Sequence, residues 1–158
     1  MVNGIQYFAT SSGLCVVRNG SLEIVDENYT SPVKHLEFSN DGTLWFGDES
    51  GRILYASGPN DVNEYANVNA AISDIRIING VKILATSNGM MYEQSHAYFI
   101  SLTPLNNMHS AKIINGFSSN GMYIAGMNSN ELAVVNANLT VTNSGLDFNF
   151  IEGLSQIS

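Results

Sequence analysis

The side chains of this 158-residue chain that could do chemistry are few and widely spaced. Three histidines, His35, His96 and His109, stand far apart, and none has the short-range Cys or His partner of a metal site. The single cysteine, Cys15, lies in the apolar run Gly13–Val17 and reads as a small buried hydrophobe. Alone it supports neither a disulfide framework nor a thiolate cluster. Glu23, Asp26 and Glu27 form a short acidic group without the oxygen-ligand and glycine spacing of a calcium loop, and read as a solvated face. Serine and aspartate are abundant, yet none sits in a nucleophile elbow or a phosphate-binding loop. The expectation is a protein without catalytic residues, metal or cofactor.

Two sets of polar residues stand out. His35 with Glu37, Asp74 with Arg76, and Gln156 with Ser158 alternate along apolar segments, and Asn115 is the counterpart in a fourth. Alternate residues of a strand share a face. These side chains would then ring a common axis, offering acids, a base, a histidine and amides. Such a ring could be a ligand mouth or an assembly contact; equally, Glu37 or Asp74 could pair with Arg76, as buried polar groups require. The second set, Tyr65, His96, Tyr98 and His109, falls on the longer connectors Ser57–Ala70 and Gln94–Ser110, and binding residues concentrate on loops held by a rigid scaffold. Trp45, Phe46 and Tyr55 read as core between structural units.

The elements that must position these residues follow from a glycine comb. Gly4, Gly42, Gly80 and Gly121 each follow Asn or Asp and recur at a nearly constant interval. Nine positions after each comes Gly13, Gly51, Gly89 or Asn130, and Gly and Asn are the types that tolerate positive φ. Between the paired turns lie β-prone runs, Ile5–Thr10, Thr43–Gly47, Val81–Thr86 and Met122–Gly126. After them come Leu14–Val17, Arg52–Ala56, Met90–Glu93 and Glu131–Val135, then Leu22–Val25, Val62–Val68, Ala97–Leu102 and Leu139–Thr142. Val33–Phe38, Ile72–Ile78 and Lys112–Phe117 precede three of the combs. No segment carries a sustained helical period, so the expected class is all-β with four short strands per unit.

The first unit lacks an opening strand, and the other end of the chain matches it. Leu154–Ser158 followed by Met1–Gly4 reads L-S-Q-I-S-M-V-N-G, against I-S-D-I-R-I-I-N-G at Ile72–Gly80. A pairwise pattern is superimposed: units 1 and 3 share A-T-S-S-G and A-T-S-N-G, while units 2 and 4 share Gly47 and Gly126. Four-stranded units of about 40 residues are the size of propeller blades. Unit 2, Val33–Tyr55, resembles the propeller repeat of two-component-regulator sensors, with Asp41-Gly42, Leu44-Trp45-Phe46-Gly47 and Gly51 on that family's pattern. The repeat, with this resemblance, leads to the expectation of a small four-bladed β-propeller of four-stranded antiparallel blades. Its blades would span 1–31 with 154–158, 32–70, 71–110 and 111–153, the C-terminal segment completing blade 1. The rival is an open four-blade arc that pairs with a second chain into an eight-bladed ring.

Composition bounds the partners. Fourteen acidic against six basic residues give a net charge of −8, which disfavours nucleic acid and anionic membrane. No apolar run approaches a membrane span, and the N-terminus lacks a basic signal head, so the expectation is cytoplasmic synthesis. Asparagine occurs 20 times and serine 18 times, so solubility rests on amides and hydroxyls suited to turns. This low-lysine, disulfide-free composition is similar to that of many phage structural proteins. The expected function is a non-enzymatic interaction or scaffold module that binds another protein, as in a virion or phage tail, with homo-oligomers open. The alternative is a carbohydrate- or small-ligand-binding propeller.

Overall fold

In the computed structural model, residues 5–58, 60–78 and 80–102 are described in full, and the backbone of 112–114, 121–125, 131–136 and 141–147. Among the described residues, fifteen strands fall into four sheets, each strand antiparallel to its neighbours. The first sheet holds β1 (Tyr7–Thr10), β2 (Gly13–Arg18) and β3 (Ser21–Ile24). The second runs β4 (Val33–Phe38), β5 (Leu44–Asp48), β6 (Arg52–Gly58), β7 (Asp61–Asn67). The third runs β8 (Ile72–Ile78), β9 (Val81–Thr86), β10 (Gly89–Ser95), β11 (Tyr98–Ser101). The fourth runs β12 (Lys112–Ile114), β13 (Gly121–Ala125), β14 (Glu131–Asn136), β15 (Val141–Asp147). Among the described residues there is no helix.

Turn chemistry sets these hairpins. Gly42 and Gly80 have φ of 86° and 81°, as the comb requires, and Asn19 and Gly20, at 50° and 80°, make the tight β2–β3 turn. Gly51 is tightly constrained. Its φ is +84°, and a Cβ there would lie 2.8 Å from the Ala70 backbone nitrogen. The neighbouring Asp48, fully buried, accepts bonds from the Ser50 and Arg52 backbone N–H groups, each at 2.9 Å, and from Arg52 Nε at 2.7 Å. Arg52 in turn stacks on Tyr29, 5.0 Å from the ring centre. One carboxylate thus fixes the β5–β6 turn and ties it to the first sheet's exit segment.

Several expected strands shift, and two of the differences have a clear cause. The third strand of unit 4, expected at Leu139–Thr142, runs Val141–Asp147, because its pairing with β14 carries a bulge and extends from Val135–Val141 to Glu131–Asp147. Ala97 is not in β11: with φ of 56° it belongs to the β10–β11 turn.

The sheets pack face to face in chain order. β1 lies against β4, β4 and β5 against β8, and β8 against β12. Strand alternation explains the layering: Leu44 and Phe46 of β5 join Leu14, Val16, Val33, Leu54 and Val62 in a core between the first two sheets. Trp45 points the other way, onto a second core of Ile53, Ile72, Ile75 and Leu84 between sheets two and three. Gly47 leaves room there for Ile72, whose side chain would stand 2.3 Å from a Cβ. The first sheet is three-stranded, its strands matching the second to fourth of the later sheets. Residues 154–158, expected to supply the remaining strand, lie outside the described residues.

Candidate functional site

Successive first strands bring the alternating polar residues together. His35 and Glu37 project from β4 and Asp74 and Arg76 from β8, on the seam where these strands meet. Arg76 Nη1 donates to Glu37 Oε2 at 3.0 Å, and the Ile77 backbone N–H reaches Glu37 Oε1 at 3.4 Å. His35 lies between the carboxylates: Nδ1 is 3.4 Å from Asp74 Oδ1 and Nε2 3.8 Å from Glu37 Oε2. That distance is too long for a hydrogen bond, and Nε2 is a buried atom without one. Burial pushes the Glu37 carboxyl up, but His35, Arg76 and the Ile77 N–H outweigh it and hold the group below the ordinary range. The cluster is a cross-sheet lock in which acids and base answer one another. Asn115, Gln156 and Ser158, expected on the same ring, lie outside the described residues.

Of the second expected set, Tyr65 lies on β7 and Tyr98 on β11, strands inside the stretches read as connectors, each paired with the strand before it across a register shift. Tyr65 and His96 do meet, Tyr65 Oη lying 3.1 Å from His96 Nδ1. Tyr65 also donates to Glu93 and accepts the Ala97 N–H at 3.0 Å. With its one proton on Glu93, the tyrosine takes the His96 contact as acceptor. Burial and the bond to Glu93 push the Tyr65 hydroxyl up, against the opposing Ala97 N–H. Burial likewise raises Glu93, but Tyr65, Lys82 and Ala97 together lower it. Tyr98 is exposed and His109 lies outside the described residues.

Lys82 is the residue that sequence reasoning missed. Its ammonium, buried on β9, donates to Glu93 Oε2 at 2.9 Å and lies 4.1 Å from the Trp45 ring centre and 4.5 Å from that of Tyr65. A desolvated cation between two aromatic faces is a favourable arrangement. Trp45 meets Tyr55 and Tyr65 of its own sheet at ring-centre distances of 5.2 and 5.0 Å, and it packs on the core that includes Ile72, Ile75 and Leu84 of the third sheet, as expected.

One edge of this core opens to solvent. A cleft of about 340 Å³ lies between the second and third sheets, lined by Phe38, Ser39, Asn40, Asp41, Trp45, Ile77, Gly80 and Lys82. Its rim is the β4–β5 turn, where Asp41 Oδ1 accepts from Ser39 Oγ and, at 3.0 Å, from the Thr43 N–H. These donors hold the Asp41 carboxyl below its ordinary value, so it remains anionic at neutral pH. Among the described residues no three His, Cys, Asp or Glu side chains are grouped to hold a metal ion, and no helix is long and apolar enough to cross a membrane.

No protein-family model matches the chain, and neither does any curated protein. Solved structures do. An inactive virginiamycin B lyase from Staphylococcus aureus with quinupristin superposes with a TM-score of 0.64 at 17% identity, over 84% of this chain and 48% of that one. YCF48 bound to D1 peptide gives 0.60 at 11%, over 92% and 51%. PorZ, a surface component of the type-IX secretion system of Porphyromonas gingivalis, gives 0.60 at 13%, over 92% and 20%. The fold is propeller-type. At such identities the likeness speaks for the fold alone, and the chain spans about half the length of the first two structures and a fifth of the third. The four sheets are called blades below.

Proposed function

We propose that the protein is a non-enzymatic propeller-type scaffold that binds a segment of another protein in the cleft between blades 2 and 3. The observation that carries this reading is the contrast between two neighbouring regions. The titratable side chains of the seam hold one another, whereas the cleft, 340 Å³ in volume, presents Phe38, 39% exposed, beside the anionic Asp41. Lys82, at the cleft floor, is already neutralised by Glu93, so Asp41 sets the sign. An extended segment with an apolar side chain and an adjacent basic residue fits this rim. YCF48, solved with a bound peptide, is a precedent for the scaffold and not for the site.

The finer reading includes a place in a larger assembly such as a virion or phage tail, supported by the low-lysine, asparagine-rich composition. It also includes residues 154–158 as the opening strand of blade 1, supported by their match to Ile72–Gly80. A carbohydrate or small ligand is the second reading, favoured by Trp45 in the cleft wall.

Affinity capture from the native source with wild type, Asp41→Lys, and Tyr98→Ser as a distant surface control tests the proposal. The expected result is one protein partner retained by wild type and the control and lost at least tenfold with Asp41→Lys. Equal capture by all three overturns the cleft, and glycan-array binding that vanishes in Trp45→Ala favours the second reading.

A further inference from the structure

Blade 1 exposes an apolar sheet face. Phe8 pairs with Cys15, Cys15 with Ile24, and Val17 with Leu22, so alternation places all five on one side. Four are open to solvent: Phe8 at 40%, Val17 at 43%, Leu22 at 58% and Ile24 at 41%. Among the described residues, Phe38 and Tyr98 are the only other large hydrophobics so exposed. The opposite face, with Leu14 and Val16, is buried against blade 2.

The repeat says what this face is built to meet. In blade 3 the same register pairs Leu84 with Met91 and Glu93 with Phe99. Leu84, Met91 and Glu93 stand two repeats on from Phe8, Cys15 and Val17, at one common offset in the sequence. There Leu84, Met91 and Phe99 pack on Ile53, Trp45, Tyr65 and Ala66 of blade 2. The exposed face of blade 1 is therefore a blade-packing face of the odd-numbered kind, whose natural complement is the far face of an even-numbered blade. Blade 4 is the other even one, with Ile124 three positions after Gly121, as Trp45 is after Gly42.

We propose that this face receives blade 4 of a second copy of the chain, two copies joining head to tail into one ring. Two observations favour a second copy over the chain's own blade 4. The face is exposed in the structure, although blade 4 is present and docked through β12 on β8 at the far end of the array. The array also superposes on about half of two longer propeller-type chains, so the same length again completes the circuit. The new junction repeats the one already seen between blades 2 and 3, and a head-to-tail contact that closes after two copies leaves no open edge.

Sedimentation equilibrium of the full chain between about 1 and 100 µM tests this. Wild type is expected at twice the mass of one chain. Val17→Lys with Leu22→Glu, opposite charges on an exposed cross-strand pair, is expected to weaken association by more than about a hundredfold while the circular-dichroism spectrum stays unchanged. A wild-type mass of a single chain throughout, assemblies beyond two copies, or a dimer indifferent to these substitutions overturns the proposal. Asp41→Lys leaves the mass unchanged, so failure of the cleft and failure of the ring are told apart.

Discussion

Glu37 stands half-buried between blades 2 and 3, where an unpaired charge would be costly. It is tolerated because Arg76, His35 and the Ile77 N–H all address the ionised form, holding its folded pKa below the unfolded one. The sign of the linkage follows. The stabilisation is present above the unfolded glutamate value of about 4.3 and is lost as pH falls through the lower folded value. Melting temperatures of wild type and Glu37→Gln between about pH 3 and pH 7, a range set by these glutamate values, check this. Wild type should lose stability on acidification, and the variant, less stable at neutral pH, should show a shallower acid limb. Parallel profiles would show that the lock is not what titrates. The residues of this lock were legible in the sequence because the repeat aligned β4 with β8 and alternation put their polar positions on one face. Lys82 was not. Its meaning comes from Trp45 and Tyr65 on another blade, and no local pattern records a neighbour across a seam.

At the scale of the element, strand and turn positions were the readable part. Val33–Phe38, Ile72–Ile78 and Val81–Thr86 are strands over the expected residues, each bounded by a Gly turn or a charged flank. Register was less readable, since bulges between Val33 and Leu36, Ile72 and Asp74, and Glu131 and Ala133 depend on how two twisted strands fit. Gly51 carries a sharper prediction. Its positive φ alone should cost a substitution about 1–3 kcal/mol, and the Cβ would also press on the Ala70 backbone. Gly51→Ala should therefore lower the denaturant midpoint far more than Gly58→Ala, where a Cβ meets nothing within 4 Å. Similar losses at both sites would contradict the packing described for the β5–β6 turn.

For the whole molecule, a polar lock and an aromatic–cation contact join blades 2 and 3, and rims held on such a scaffold can act as binding surfaces. The succession of antiparallel sheets could be read from the comb. The exposed face of blade 1 could not, because a periodic sequence gives every blade two apolar faces and only the arrangement in space shows which one is uncovered. The two proposals use different surfaces, the cleft for a partner segment and that face for a second copy. Amide hydrogen exchange of the wild-type chain, with and without the partner captured from its source, addresses the central assignment most directly. Added protection concentrated in residues 38–45 and 77–82, around Asp41 and Lys82, is the predicted result. Protection confined to other segments, with these amides exchanging as fast as in the free protein, would contradict it.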